Sequence, residues 1–253
     1  HPSVFIFFVI AGLYFRKIIY LTTNNIFYSN LSAVFFLLYP YLLGHSFFNI
    51  KDIPFMSLWL ICTYYIMNIS VIFYNKKKIS LINIILLGIL TSFLLSVRIS
   101  GVLIFIEYLI FMIFALNVSS FKFIEFLKLI NKKIFIFLTI VIALFYLFHP
   151  NYWSNPLKVI LAIKYMSQHI QSVCTITLGE CMEAQNLPSS YMPIWFFFKL
   201  PIIIILGIFF FPLVEKKIFS DKKIVISIGS LLISFLIIIF LLIFLKVNLY
   251  DEI

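Results

Sequence analysis

Two short stretches carry the residue types and spacing that chemistry needs. The first is Gly44-His45-Ser46-Phe47-Phe48-Asn49-Ile50-Lys51-Asp52-Ile53-Pro54, with a carboxylate directly after an ammonium. Seven polar or helix-breaking residues stand where chain economy needs only a turn, and an outward Asp beside a Lys at the membrane interface is costly to place without a function. A structural alternative stands beside it: Asp52 as N-cap of a helix starting at Ile53-Pro54, with Lys51 snorkelling. The second is Arg98-Ile99-Ser100-Gly101, where a lone arginine between apolar runs is either an anion ligand or an interfacial anchor. Glu107 lies inside an apolar run; a carboxyl there is functional by default or paired within a bundle. His149 and His169 are possible bases or ligands, although lone histidines near an interface are more often hydrogen-bonded structural residues. Trp153 and Trp195 fit an aromatic belt. There is no Gly-rich phosphate loop, HExxH, GxSxG or CxxC.

The elements that must position these residues follow from composition. Of 253 residues, 64% are hydrophobic and 11% charged, with 32 Phe and a mean hydropathy of +1.15. Soluble domains carry about 25% charged residues. A soluble enzyme, a nucleic-acid-binding domain and a disordered tail are thereby excluded, and nucleic acid is no partner. Apolar segments fall at roughly 3–20, 31–48, 53–74, 79–97, 99–116, 134–148, 194–212 and 224–245. Each approaches the ~20 residues of a bilayer span. The fold expected is all-α, a polytopic transmembrane bundle of about eight spans forming a single domain over 1–253. The net charge is +10, and thirteen of nineteen cations fall in alternate connections. These are Arg16/Lys17, Lys76–Lys78, Lys122/Lys128/Lys132/Lys133 and Lys216/Lys217/Lys222/Lys223, which marks that side as cytoplasmic and in contact with membrane lipids. Residues 117–133 read as an interfacial amphipathic helix.

The opposite, outer side holds Lys51, Arg98, Lys158, Lys164, Lys199 and Lys246, and one long hydrophilic loop, 149–193. Asn155-Pro156 is a cap and first-turn pair that predicts a helix over about 156–170. Cys62 sits within a span as a small apolar packer. Cys174 and Cys181 flank Thr-Ile-Thr-Leu-Gly-Glu, with Gly179 at a turn, and could close a small disulfide loop in an oxidising compartment. Metal binding by the two thiols is the alternative, but further ligands are lacking.

Four stretches, in order and on the outer side, resemble the polytopic glycosyltransferases that use polyprenyl-phosphate sugars. That family includes protein O-mannosyltransferases and aminoarabinose-type lipid A transferases of the GT-C type. The stretches are the Gly44–Pro54 run; Arg98-x-Ser100-Gly101; His149-Pro150-x-x-Trp153-x-Asn155-Pro156; and Leu187-Pro188-x-x-Tyr191-x-Pro193-x-Trp195 followed by Lys199-x-Pro201. The resemblance implies transfer of a sugar from a polyprenyl-phosphate donor to an acceptor hydroxyl on protein, lipid or glycan, with inversion at the anomeric carbon. A carboxylate deprotonates the acceptor, and cations stabilise the departing phosphate. Asp52 matches the family's second acidic position. Lys51, Arg98, His45, Asn49, His149, Trp153, Asn155 and Lys199 become candidate substrate and phosphate ligands. Asp52 would position Lys51, hold the acceptor or help bind a divalent metal, and these options stay open. The family's first-loop acid has no counterpart after His1-Pro2, so the chain is expected to be N-terminally incomplete.

Two other classes compete: a transporter or lipid flippase, and a non-catalytic membrane subunit. Self-similar halves, common in transporters, are absent here. The Ile/Lys/Asn/Phe bias favours a bacterial inner membrane with a periplasmic site. An ER membrane of the same topology is the alternative.

Overall fold

The computed structural model describes residues 2–119, 123–161, 174–177, 179–183, 188, 190–202, 204–210 and 221–244. Its elements are α1 (Pro2–Thr23), α2 (Ile26–Leu38), α3 (Pro40–His45), α4 (Asp52–Tyr74), α5 (Leu81–Val97), a 3-10 turn (Ile99–Leu103), α6 (Ile104–Val118) and α7 (Phe123–Phe148). A second 3-10 turn (Pro150–Tyr152), a hairpin of β1 (Cys174–Thr177) and β2 (Glu180–Glu183), and α8 (Tyr191–Lys199) follow. The last helical run joins α9 (Lys222–Ile224), a π-helical turn (Val225–Gly229) and α10 (Ser230–Phe244). The chain is an all-α bundle. Among the described residues five helices are long and apolar enough to cross a membrane, as expected of a multi-pass membrane protein.

Among the described residues, five of the eight expected segments form helices of at least 18 residues, Leu81–Val97 forms a shorter one, and the other two are divided for local reasons. The segment 31–48 does not form one span. Pro40 has no N–H and forces Tyr39 into extended backbone (φ −63°, ψ 115°), so α2 stops after 13 residues and α3 starts anew. Asn25 caps α2, its Oδ1 accepting from the backbone N–H of Phe27 and Tyr28. The segment 194–212 is interrupted in the same way at Leu200-Pro201, between α8 and the helical residues 204–210. The α5/α6 break falls where the sequence placed it: α5 ends at Val97, with Arg98 in extended backbone and Gly101 buried against Leu94. The separate interfacial helix at 117–133 is not found. From Phe123 onward that stretch runs without interruption into α7, because no Gly or Pro separates Lys133 from the apolar residues beyond.

At the centre lies α4, packed against α1, α5 and α6. It is buried on most of its circumference, as a bundle's inner helix should be. Cys62, Ile66, Met67 and Ile69 of α4 meet Leu94 of α5 and Ile104 and Phe111 of α6 in the main core. Small residues let backbones approach: the Gly88 Cα sits under Ile140 and the Phe137 carbonyl of α7. Some hydroxyls inside the bundle are satisfied locally, whereas those of Ser70, Ser92 and Ser230 have no partner among the described residues. Thr91 Oγ1 donates to Leu87 O at 2.7 Å and lies 2.8 Å from the Tyr108 hydroxyl.

The successive apolar helices α1, α2, α4, α5, α6 and α7 alternate direction, which sorts the loops into two ends. Phe5 at the start of α1 stacks on Phe47 before α4 (5.3 Å), and Phe93 of α5 stacks on Phe148 of α7 (4.9 Å). One end therefore gathers the α3–α4 loop, the α5–α6 turn and the C-terminus of α7. The other gathers Lys76–Lys78, Lys132 and Lys133, and Lys222 and Lys223.

Candidate functional site

At the first end, the α3–α4 loop is wound around Asn49. The His45 carbonyl accepts from the N–H of Phe48 and Asn49, and Ser46 Oγ donates to Leu43 O at 2.6 Å. Asn49 Oδ1 then accepts from the backbone N–H of Lys51 (3.2 Å) and Asp52 (2.9 Å). Such an Asx turn starts a helix with its own side chain. Asn49 thus does the capping that the sequence offered as one reading of Asp52. Relieved of it, Asp52 is the first residue of α4, where a carboxylate suits the positive end of the helix dipole.

The Asp52 side chain is held from two directions. Arg98 Nη2 reaches its Oδ1 at 2.7 Å, and Asn49 Nδ2 donates to its Oδ2 at 2.9 Å. Asn49 Nδ2 also lies 3.3 Å from His45 Nδ1. Four candidates scattered over more than fifty positions therefore form one hydrogen-bonded line, His45–Asn49–Asp52–Arg98. It joins the foot of α4 to the top of α5. The Asp52 and Arg98 side chains keep 43% and 34% of their surface exposed, so the pair is reachable from solvent.

Lys199 belongs to the same neighbourhood through residues the sequence did not single out. Tyr39 hydroxyl donates to Lys199 O at 2.8 Å, and the Lys199 ammonium sits 5.2 Å from the centre of the Tyr41 ring. That ring in turn packs on His45 at 4.4 Å, and Phe48 covers the imidazole at 5.0 Å. The only sequence signal for the tyrosines is Tyr39-Pro40-Tyr41 itself, a helix break placed 160 residues from its partner. Lys51 is exposed, beside Asp52 in sequence, with its backbone in the Asx turn.

The other candidates do something different. His149 lies over the last turn of α7, its Nδ1 2.9 Å from Phe145 O. Trp153 Nε1 donates to Tyr146 O at 2.6 Å, and Tyr146 hydroxyl donates to Pro156 O at 3.0 Å. Asn155 Oδ1 accepts from the Leu157 N–H at 3.1 Å, the cap its sequence predicted. His149 and Trp153 thereby meet two of the carbonyls left over at the end of α7. Described helix continues only over 158–161; the remainder of the expected 156–170 helix, and His169, lie outside the described residues. Trp153 is nevertheless 62% exposed.

Glu107 is a separate, interior feature. It is 3% exposed, and its Oε2 accepts from Trp59 Nε1 at 2.7 Å. Its Oε1 has no partner among the described residues. The indole belongs to α4 and the carboxyl to α6, so the bond crosslinks two spans about two helical turns along α4 from Asp52.

Within the described residues no three His, Cys, Asp or Glu side chains converge as metal ligands. Among the described residues Asp52 is the one carboxylate of the cluster. In the outer loop, β1 and β2 pair antiparallel, with Thr177 opposite Glu180. Gly179 turns the chain at φ +88°, a conformation glycine adopts without penalty. Cys181 is disulfide-bonded and Cys62 is free, while the side chain of Cys174, the expected partner, lies outside the described residues. Against protein-family models, curated proteins and solved structures, the chain finds no match.

Proposed function

We propose that this protein transfers a sugar from a polyprenyl-phosphate-linked donor to an acceptor hydroxyl at the Asp52–Arg98 end of the bundle. The observation that carries the reading is the half-exposed Arg98–Asp52 ion pair, braced by Asn49 and flanked by Lys51 and Lys199. In such a transfer the anomeric carbon–phosphate oxygen bond breaks and a carbon–acceptor oxygen bond forms. The acceptor gives up a proton, and negative charge grows on the phosphate. A guanidinium has five N–H donors. With one spent on Asp52, Arg98 has others for the phosphate, in the planar geometry that suits it. Lys51 and Lys199 add positive charge that attracts the same anion.

In this reading Asp52 is the residue that positions Arg98, and its remaining lone pairs are available to the acceptor hydroxyl. His45 and Asn49 fix the carboxylate in turn. The lysine-rich opposite end would face the cytoplasm. The cluster would then open on the periplasmic side of a bacterial inner membrane, or on the lumenal side of an ER membrane. A polyprenyl chain lies in the bilayer beside a site at that depth, and this favours a lipid-linked donor over a soluble nucleotide sugar.

The test is sugar transfer from radiolabelled polyprenyl-phosphate sugars by the full-length protein in proteoliposomes. Arg98→Lys keeps a charge but loses the fork, and should raise the KM for donor. Asp52→Asn should lower kcat while the protein stays folded. Normal turnover in both variants would remove the reading. Movement of a solute or lipid across the liposome without any sugar transfer would put a transporter in its place.

A further inference from the structure

At the opposite end of the bundle from Asp52, a groove of about 510 Å³ opens between α4, α5, α6 and α7. Ile69, Ile84, Leu109, Ile113 and Phe137 are among its walls, and Lys133 is the one charged residue among the described lining. Tyr108 also lines it, but its hydroxyl is engaged with Thr91 at 2.8 Å, so the wall offers no free polar group there. The groove faces outward to lipid: Leu109 is 62% and Ile113 45% exposed.

Its dimensions select an occupant. Along α6 the lining runs from Phe105 to Leu116. At 1.5 Å per residue that is about 16 Å, close to half of a ~30 Å hydrocarbon core. A helix from a second copy would be about 10 Å wide and need the full thickness, whereas a single acyl chain needs one leaflet. Charge selects the head. Half-buried Lys133 ends the groove where α7 leaves the lysine-rich side, with exposed Lys132 beside it. The α4–α5 connection carrying Lys76, Lys77 and Lys78 lies at the same end. A lysine stem along an apolar wall with its ammonium at the interface is the snorkelling arrangement that meets a phosphate.

We propose that this groove binds one acyl chain of an anionic phospholipid from the leaflet at the lysine-rich end, with the lipid phosphate at Lys133. The site is distinct from the Asp52 cluster and does not depend on sugar transfer.

Native mass spectrometry of the purified full chain tests it, with phosphatidylglycerol and phosphatidylcholine of identical acyl chains as probes. The wild type should retain one phosphatidylglycerol in preference to phosphatidylcholine. Lys133→Gln, a change at a partly exposed position, should weaken phosphatidylglycerol retention by about five-fold, one lysine's attraction to anionic lipid. Lys133→Arg should keep the preference, and Ile113→Trp, which fills the groove, should lose both lipids. Equal retention of the two lipids by the wild type would overturn the proposal, as would an unchanged preference in Lys133→Gln. Disulfide-linked dimers of Ile113→Cys together with lipid-free protein would assign the groove to a second copy instead.

Discussion

Replacing Asp52 with Asn separates what the Arg98 pair does for stability from what it does for chemistry. The amide keeps the side chain's shape and its contact with Asn49, but removes the charge that meets Arg98 Nη2 at 2.7 Å. Two unit charges about 4 Å apart interact by roughly 4 kcal/mol at an effective dielectric of 20 and by about 1 kcal/mol in water. With 34% and 43% of the side chains exposed, solvent screening brings the pair close to the lower limit. A double-mutant cycle with Arg98→Gln should therefore return a coupling of about 1 kcal/mol in unfolding experiments, a five-fold change in the folding equilibrium. Loss of an aligned cation at a leaving phosphate is a much larger effect, about 10²- to 10³-fold in kcat by analogy with a lost oxyanion donor. Transfer assays and unfolding curves on the same proteoliposome preparations give both numbers. If activity falls only as far as the folded fraction falls, Asp52 is a fastener between α4 and α5. The positioning argument is then wrong.

Three further outcomes follow from the packing. Trp59→Phe should cost about 1–3 kcal/mol, because it leaves both oxygens of buried Glu107 without partners; adding Glu107→Leu should recover most of that in the same unfolding assay. Gly88→Val should destabilise by about 1–3 kcal/mol, since a Cβ there already meets Ile140 Cγ2 at 3.0 Å and the Phe137 carbonyl at 3.4 Å. Gly44→Ala, with nothing near its Cβ position, is the matched control and should be close to neutral. Alkylation of denatured, unreduced protein should label Cys62 alone, and prior reduction should add Cys174 and Cys181; labelling of all three without reductant would contradict the hairpin's closure.

Legibility in the sequence depended on the range of the interaction concerned. Composition was enough for the all-α membrane bundle, because 64% apolar residues admit no other solvent. The α5–α6 break was readable because Arg98 and Gly101 act on their own backbone. Two of the expected segments were read as unbroken for a related reason: hydropathy averages across a window, and it weighs Pro40 and Pro201 as single residues although each stops a helix outright. The same averaging split α7, where two lysines lowered the hydropathy of a helix they do not interrupt. The candidate cluster shows the boundary most plainly. Asn49, Lys51 and Asp52 stood out as a local polar run, yet which of them capped α4 was undecidable from spacing, since Asn and Asp are equally good caps. What decides is Arg98, forty-six positions on, which draws the Asp52 carboxylate across to α5 and leaves the backbone N–H groups to Asn49. The partners of Glu107 and Lys199 were hidden for the same reason. Trp59 and Tyr41 look like ordinary span aromatics until tertiary packing sets them beside a carboxyl and an ammonium. In a chain this apolar, polar side chains have few places to be satisfied, so for Asp52, Arg98, Glu107 and Lys199 a tertiary partner rather than a local motif fixes the role.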